Sequence, residues 1–138
     1  MAHARQTIRE ATATLVTGLT STGARVFQSR MVPTAATLPC LLVTTNDEEI
    51  EAGAFEKQLD RRLSVRIIGV AKAASASLDD ALDTIAAEVE TAVGTNLKYE
   101  LRAITVDFDE SLEKPTGRIT LDFSYRYFTN AGAPGTTL

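Results

Sequence analysis

Apolar and polar positions recur along this chain with two different periods, and the changes of period divide it into elements. From Ala4 the apolar residues Ile8, Ala11, Leu15, Val16 and Leu19 repeat at helical spacing, with Arg5, Arg9 and Glu10 largely on the other side. The pattern predicts an amphipathic first helix, stopped by Thr17, Gly18 and the run Thr20-Ser21-Thr22-Gly23. Residues 25–28 read as a short strand, followed by a loop through Pro33 to Thr37. A second strand, 41–45, begins after Pro39, which lacks the ladder donor and belongs at a strand's start or edge. The polar, acidic segment NDEEIEAGAFEK, 46–57, reads as an exposed loop.

In residues 62–70, Leu63, Val65 and Ile67 alternate with Arg62, Ser64 and Arg66, which predicts a strand with one dry face and one charged face. The segment SASLDDALDTIAAEVETAVGT predicts a second helix, with Ser77 as N-cap, Asp79 and Asp80 in the first turn and Gly94 as the stop. Leu78, Leu82, Ile85, Ala86, Val89 and Val93 form its apolar stripe. Two strands follow, 100–108 and 118–128, joined by the linker ESLEKPTG. In the last strand Ile119, Leu121, Phe123, Tyr125 and Tyr127 alternate with Thr120, Asp122, Ser124 and Arg126. The order is α-β-β-β-α-β-β. Strands with one apolar face need helices to cover it, so the expectation is α+β: a two-layer sandwich, its mostly antiparallel five-stranded sheet covered on one face by two helices. Residues 1–128 form one domain in this reading, and 129–138 a loose, flexible tail or an arm that orders against a neighbour.

Composition narrows the classes. Lys plus Arg is 14 against 18 Asp plus Glu, a net charge of -4, which disfavours bulk binding to phosphate backbones. No stretch reaches the roughly 18 apolar residues of a membrane span, and the charged start MAHARQTIRE lacks the apolar core of a signal peptide. One cysteine, Cys40, cannot form an internal disulfide, which suits a reducing cytoplasm.

Candidate chemistry is sparse. There is no P-loop, GxGxxG, HExxH or GxSxG pattern. His3 is the one histidine, placed by the sequence in a frayed terminus, so Cys40 lacks a partner base or further metal ligands and reads as a buried core residue. No catalytic residue, cofactor or metal is expected. The acidic cluster Asp47, Glu48, Glu49 and Glu51 lacks calcium-loop spacing and is a solvated loop, an electrostatic interface or a repulsive lining. Arg62, Arg66, Asp122 and Arg126 are either solvated cross-strand ion pairs or a subunit interface, where arginine is enriched. Arg30 and the loop after it are also exposed enough to touch a neighbour.

The layout as a whole resembles the tail terminator (minor tail protein U-like) family of long-tailed bacteriophages, over roughly residues 3 to 128. The matching features are the opening helix HARQTIREATATLV and TGARVFQSRMVPTAATLPCLLV, with its Leu-Pro-small-apolar step into a strand. The acidic NDEEIE, the strand RRLSVRIIGVAKA, the helix SLDDALDTIAAEVETAV and the closing PTGRITLDFSYRY follow in order. The segment NAGAPGTTL has no counterpart in that pattern. The resemblance implies a non-enzymatic virion protein that assembles as a homohexameric ring on the head-proximal end of the tail tube. Its partners would be itself, the tail tube protein and a head-completion or connector protein, with DNA passing through the lumen and no membrane involved. It would be built in the bacterial cytoplasm and reside at the head–tail junction. A head–tail connector or neck protein is the nearest alternative. A small α+β ligand-binding domain or hydrolase is a third, without motif support.

Overall fold

The computed structural model describes residues 2–30, 37–109 and 115–138. Its elements follow the expected order: α1 (Ala4–Leu15), β1 (Val26–Phe27), β2 (Cys40–Ala52), β3 (Gln58–Lys72), α2 (Ser75–Gly94), β4 (Tyr99–Asp109) and β5 (Thr116–Asn130). The strands form one five-stranded sheet in the order β1-β2-β3-β5-β4, antiparallel except for the two-residue parallel pairing of β1 with β2. Both helices lie on the same face, which makes the α+β two-layer sandwich. Loop 31–36 and most of the ESLEKPTG linker fall outside the described residues.

The core sits between α2 and strands β3 and β5. Ile67, Leu121, Leu82, Val89 and Val93 are at most 1% exposed, and burial of each large aliphatic side chain stabilises by about 1.5–3 kcal/mol. α2 lies close to the sheet because glycines stand beneath it, Gly69 under Ile85 and Gly117 under Leu82. α1 covers the β2 side through Ala4, Ile8, Thr12 and Ala13. Thr12 Oγ1 hydrogen-bonds both Ile8 O and the Tyr99 hydroxyl, each at 2.7 Å. On the opposite face a small second cluster of Cys40, Leu42 and Val70 packs with Phe27, Leu38 and Ile68. Cys40 is fully buried at the first position of β2, and that burial raises its thiol pKa, away from a thiolate nucleophile.

Several expectations are corrected. α1 ends at Leu15 rather than near Leu19, and the chain turns away through Gly18 at φ 90°, a left-handed conformation that glycine adopts without strain. His3 is not frayed: it caps α1, its Nδ1 accepting from Arg5 N–H at 3.1 Å. α2 begins at Ser75 with Ala74 as N-cap and no side-chain cap, so Asp79 and Asp80 lie beyond its first turn. Of the acidic segment 46–57 only 53–57 is a loop, because 46–52 belong to a strand. β2 runs on through Ala52 and β3 starts at Gln58, so the two make one long hairpin. The whole of β4 was expected to bury an apolar face, yet Ile104, Val106 and Phe108 are 47%, 41% and 47% exposed. They share the helix-bearing face with Leu121, Ile119 and Gly117, but α2 lies over β3 and β5 and does not cover this edge. Beyond Asn130, where a loose tail was expected, Leu138 N–H donates to Phe128 O at 2.9 Å and Thr137 bridges Thr129. Pro134 O accepts from Ala4 N–H at 2.8 Å.

Candidate interaction surface

A β-bulge decides which carboxylate of the acidic cluster enters the protein. Between Thr45 and Glu48 the β2–β3 register slips by one residue: Thr45 faces Val65, and Glu48, three positions on, faces Leu63. The extra residue reverses the alternation, so Glu48 turns inward while Asp47 and Glu49 turn out. Arg30 Nη2 satisfies the loosened bulge by donating to Thr45 O at 3.1 Å and Asn46 Oδ1 at 2.9 Å.

Inside, Glu48 accepts from Arg61 Nη1 at 3.2 Å and from the Tyr127 hydroxyl through a short hydrogen bond. Arg61 Nε donates to Thr129 Oγ1 at 2.8 Å. The Glu48 and Arg61 side chains are 6% and 9% exposed. Burial, followed by the adjacent Glu48 carboxylate, pushes the Tyr127 phenol well above the usual range. This is a closed, internally satisfied network that ties the hairpin to β5.

Away from the Cys40, Leu42 and Val70 cluster, and among the described residues, the outer face of the sheet is open over β3, β5 and β4. Asp60 and Arg126 form a bidentate pair, Nε–Oδ1 3.1 Å and Nη2–Oδ2 2.9 Å, and Arg62 Nη2 stands 3.9 Å from the same carboxylate. The Arg126 fork holds the Asp60 carboxyl below its usual range, against the opposing effect of burial. Four residues along β5, Arg66 Nε lies 3.1 and 3.2 Å from the two Asp122 oxygens. That pair is exposed and worth at most about 1 kcal/mol. Two hollows mark this face. One, of about 360 Å³, is lined among others by Asp47, Glu49, Arg62 and Asp122. The other, of about 420 Å³, is lined by Arg62, Lys98, Arg102 and Arg126, with Glu100, Ser124 and Leu97.

Of the residues singled out in the sequence, Asp47, Glu49, Glu51, Arg62, Arg66, Asp122 and Arg126 therefore share one face. Glu48 is withdrawn into the protein, and Arg30 is engaged with β2. Asp60, Lys98 and Arg102 were missed. Asp60 was recoverable by extending the Arg62-Ser64-Arg66 alternation one step backwards. Lys98 and Arg102 flank the start of β4, and an irregularity between Leu101 and Ala103 hid their place.

The Asp60 pair makes a pH prediction. A carboxyl whose folded pKa lies below its unfolded value contributes stability that is complete above the unfolded value and is lost as pH falls through the folded one. Asp60→Asn should therefore flatten the decline of unfolding free energy below about pH 4, measured by urea titration across acid pH. An unchanged acid limb contradicts the assignment.

Among the described residues no group of three or more His, Cys, Asp or Glu side chains could hold a metal ion, and no helix is long and apolar enough to cross a membrane. The chain matches no family model, and no curated protein matches it as a relative.

Proposed function

We propose that this chain is the ring-forming tail terminator subunit of a long-tailed phage or related tail-like particle. It acts by binding and geometric blockage, with no catalytic step. The reading starts from the chain-long sequence resemblance. The observation that carries it further is the charged outer face of the sheet: guanidinium and carboxylate groups alternate across three strands, and among the described residues no other element is laid over them. Such a face suits reversible subunit contact, because arginine forks bind carboxylates in defined geometry. The net acidic charge suits a ring through which DNA slides without adhering, since carboxylates repel phosphates.

Light scattering after size exclusion, with negative-stain imaging, tests the oligomer. The reading expects a six-fold ring with a central hole about the width of a DNA duplex, and a monomer at every concentration and salt contradicts it. Neutralising Asp47, Glu49 and Glu51 together should leave the ring intact if they line the passage. Loss of the ring in that variant assigns them to the subunit contact instead.

A further inference from the structure

We infer that the ring contact is heterologous and places the acidic outer stripe of α2 from one copy against the basic hollow on the outer sheet face of the next. The inference rests on the ring reading above and specifies its interface.

The two surfaces lie on opposite sides of the subunit. α2 buries Leu78, Leu82, Ile85 and Val89 against one face of the sheet, so its solvent side points away from the other face. That solvent side carries Asp79, Asp80, Asp83 and Glu90, all exposed. No Lys or Arg occurs between Lys72 and Lys98. Among the described residues none of the four carboxylates has an ion-pair partner. Asp79 and Asp83 are one turn apart, a like-charge spacing that is unfavourable in a helix. Glu88 is not part of the stripe, because it is held by Ser21 N and Oγ at 2.8 and 2.5 Å.

The hollow has the opposite imbalance. Arg62 and Arg126 are direct cross-strand partners of like charge, and the single carboxylate of Asp60 serves both. Lys98 has no carboxylate partner among the described residues and rests over the Tyr125 ring at 5.9 Å. Among the described residues Arg102 pairs only with Glu100, at 3.3 Å, with both side chains more than half exposed. Each surface thus carries charge its own subunit leaves uncompensated, and each is the complement of the other. Apolar area accompanies both. The exposed row Ile104, Val106 and Phe108 lies beside α2, and Leu97, 99% exposed, stands at the rim of the hollow. A contact between opposite sides of one subunit is head-to-tail, the type that closes into rings.

The test uses the full chain and two charge-reversed variants, Asp79→Lys/Asp83→Lys and Lys98→Glu/Arg102→Glu, with the fold of each checked by circular dichroism. All four positions are exposed, so both variants should fold. Sedimentation velocity at about 50 mM salt, where charge screening is weak, should show a wild-type ring and each variant alone as a monomer. Mixed in equal amounts, the two variants should reassemble, because in an alternating ring every contact pairs either two reversed surfaces or two native ones. The four-fold variant should also assemble on its own. Variants that assemble alone, or a mixture that stays monomeric, overturn this interface while leaving the ring reading standing. A wild-type chain that never leaves the monomer overturns both.

Discussion

Replacing Glu48 by alanine should lower the free energy of unfolding by about 3–5 kcal/mol, because it strands a buried guanidinium without its counter-charge. The loss should exceed that of any single charge change on the outer face. Arg61 would keep its 2.8 Å bond to Thr129 Oγ1 but lose the carboxylate that balances it, and the Tyr127 hydroxyl would lose its acceptor. The reverse experiment separates charge burial from packing. Replacing Glu48 and Arg61 together by leucine and methionine should cost much less than Glu48→Ala alone, since no buried charge is then left unpaired. Urea unfolding of the single and double variants checks both statements. A Glu48→Ala loss below about 1 kcal/mol, the range of an exposed pair, would place Glu48 at the surface and contradict the inward turn at the bulge.

The second large effect is expected at Gly69. An added Cβ would stand 2.6 Å from Ile85 Cγ2 and 3.2 Å from Ile119 Cγ2. Isoleucine in a helix has one strongly preferred χ1 rotamer, so the clash moves α2 or its backbone rather than a side-chain tip. Gly69→Ala should cost about 1–3 kcal/mol, after a gain of up to about 1 kcal/mol from the stiffer unfolded chain. Gly117→Ala should cost less, because the 2.6 Å contact there is the terminal Cδ1 of Leu82. The double variant Gly69→Ala/Ile85→Ala should be more stable than the sum of the two singles by about 1 kcal/mol or more, a coupling that a thermodynamic cycle measures directly. Additive losses would mean that the glycine does not set the helix–sheet spacing.

The element order, the apolar stripe of α2 and the inward faces of β3 and β5 were legible because each rests on a period of several residues. The acidic segment 46–57 was misjudged for a physical reason. Its outward residues Asp47, Glu49 and Glu51 are charged, its inward Ile50 lies at a projecting hairpin end and is 49% exposed, and Glu48 is buried only through a partner distant in sequence. Local polarity cannot distinguish such a hairpin from a loop. The boundaries of α2 slipped because Ser77 is a good capping residue, yet Ala74, with no capping side chain, holds the position. Arg62, Arg66, Asp122 and Arg126 of the outer-face network could be read from the alternation in β3 and β5. The remainder depends on cross-strand register, which brings Asp60 to Arg126 and gathers Lys98 and Arg102 around the same hollow.

If the protein ends a tail tube, as proposed, its effect is read in the length of the tubes. Purified chain added to polymerising tail tube subunits, followed by electron microscopy, should arrest elongation and leave ring-shaped density at one end of each tube. Tubes that continue to lengthen with no bound chain would rule out the terminator role.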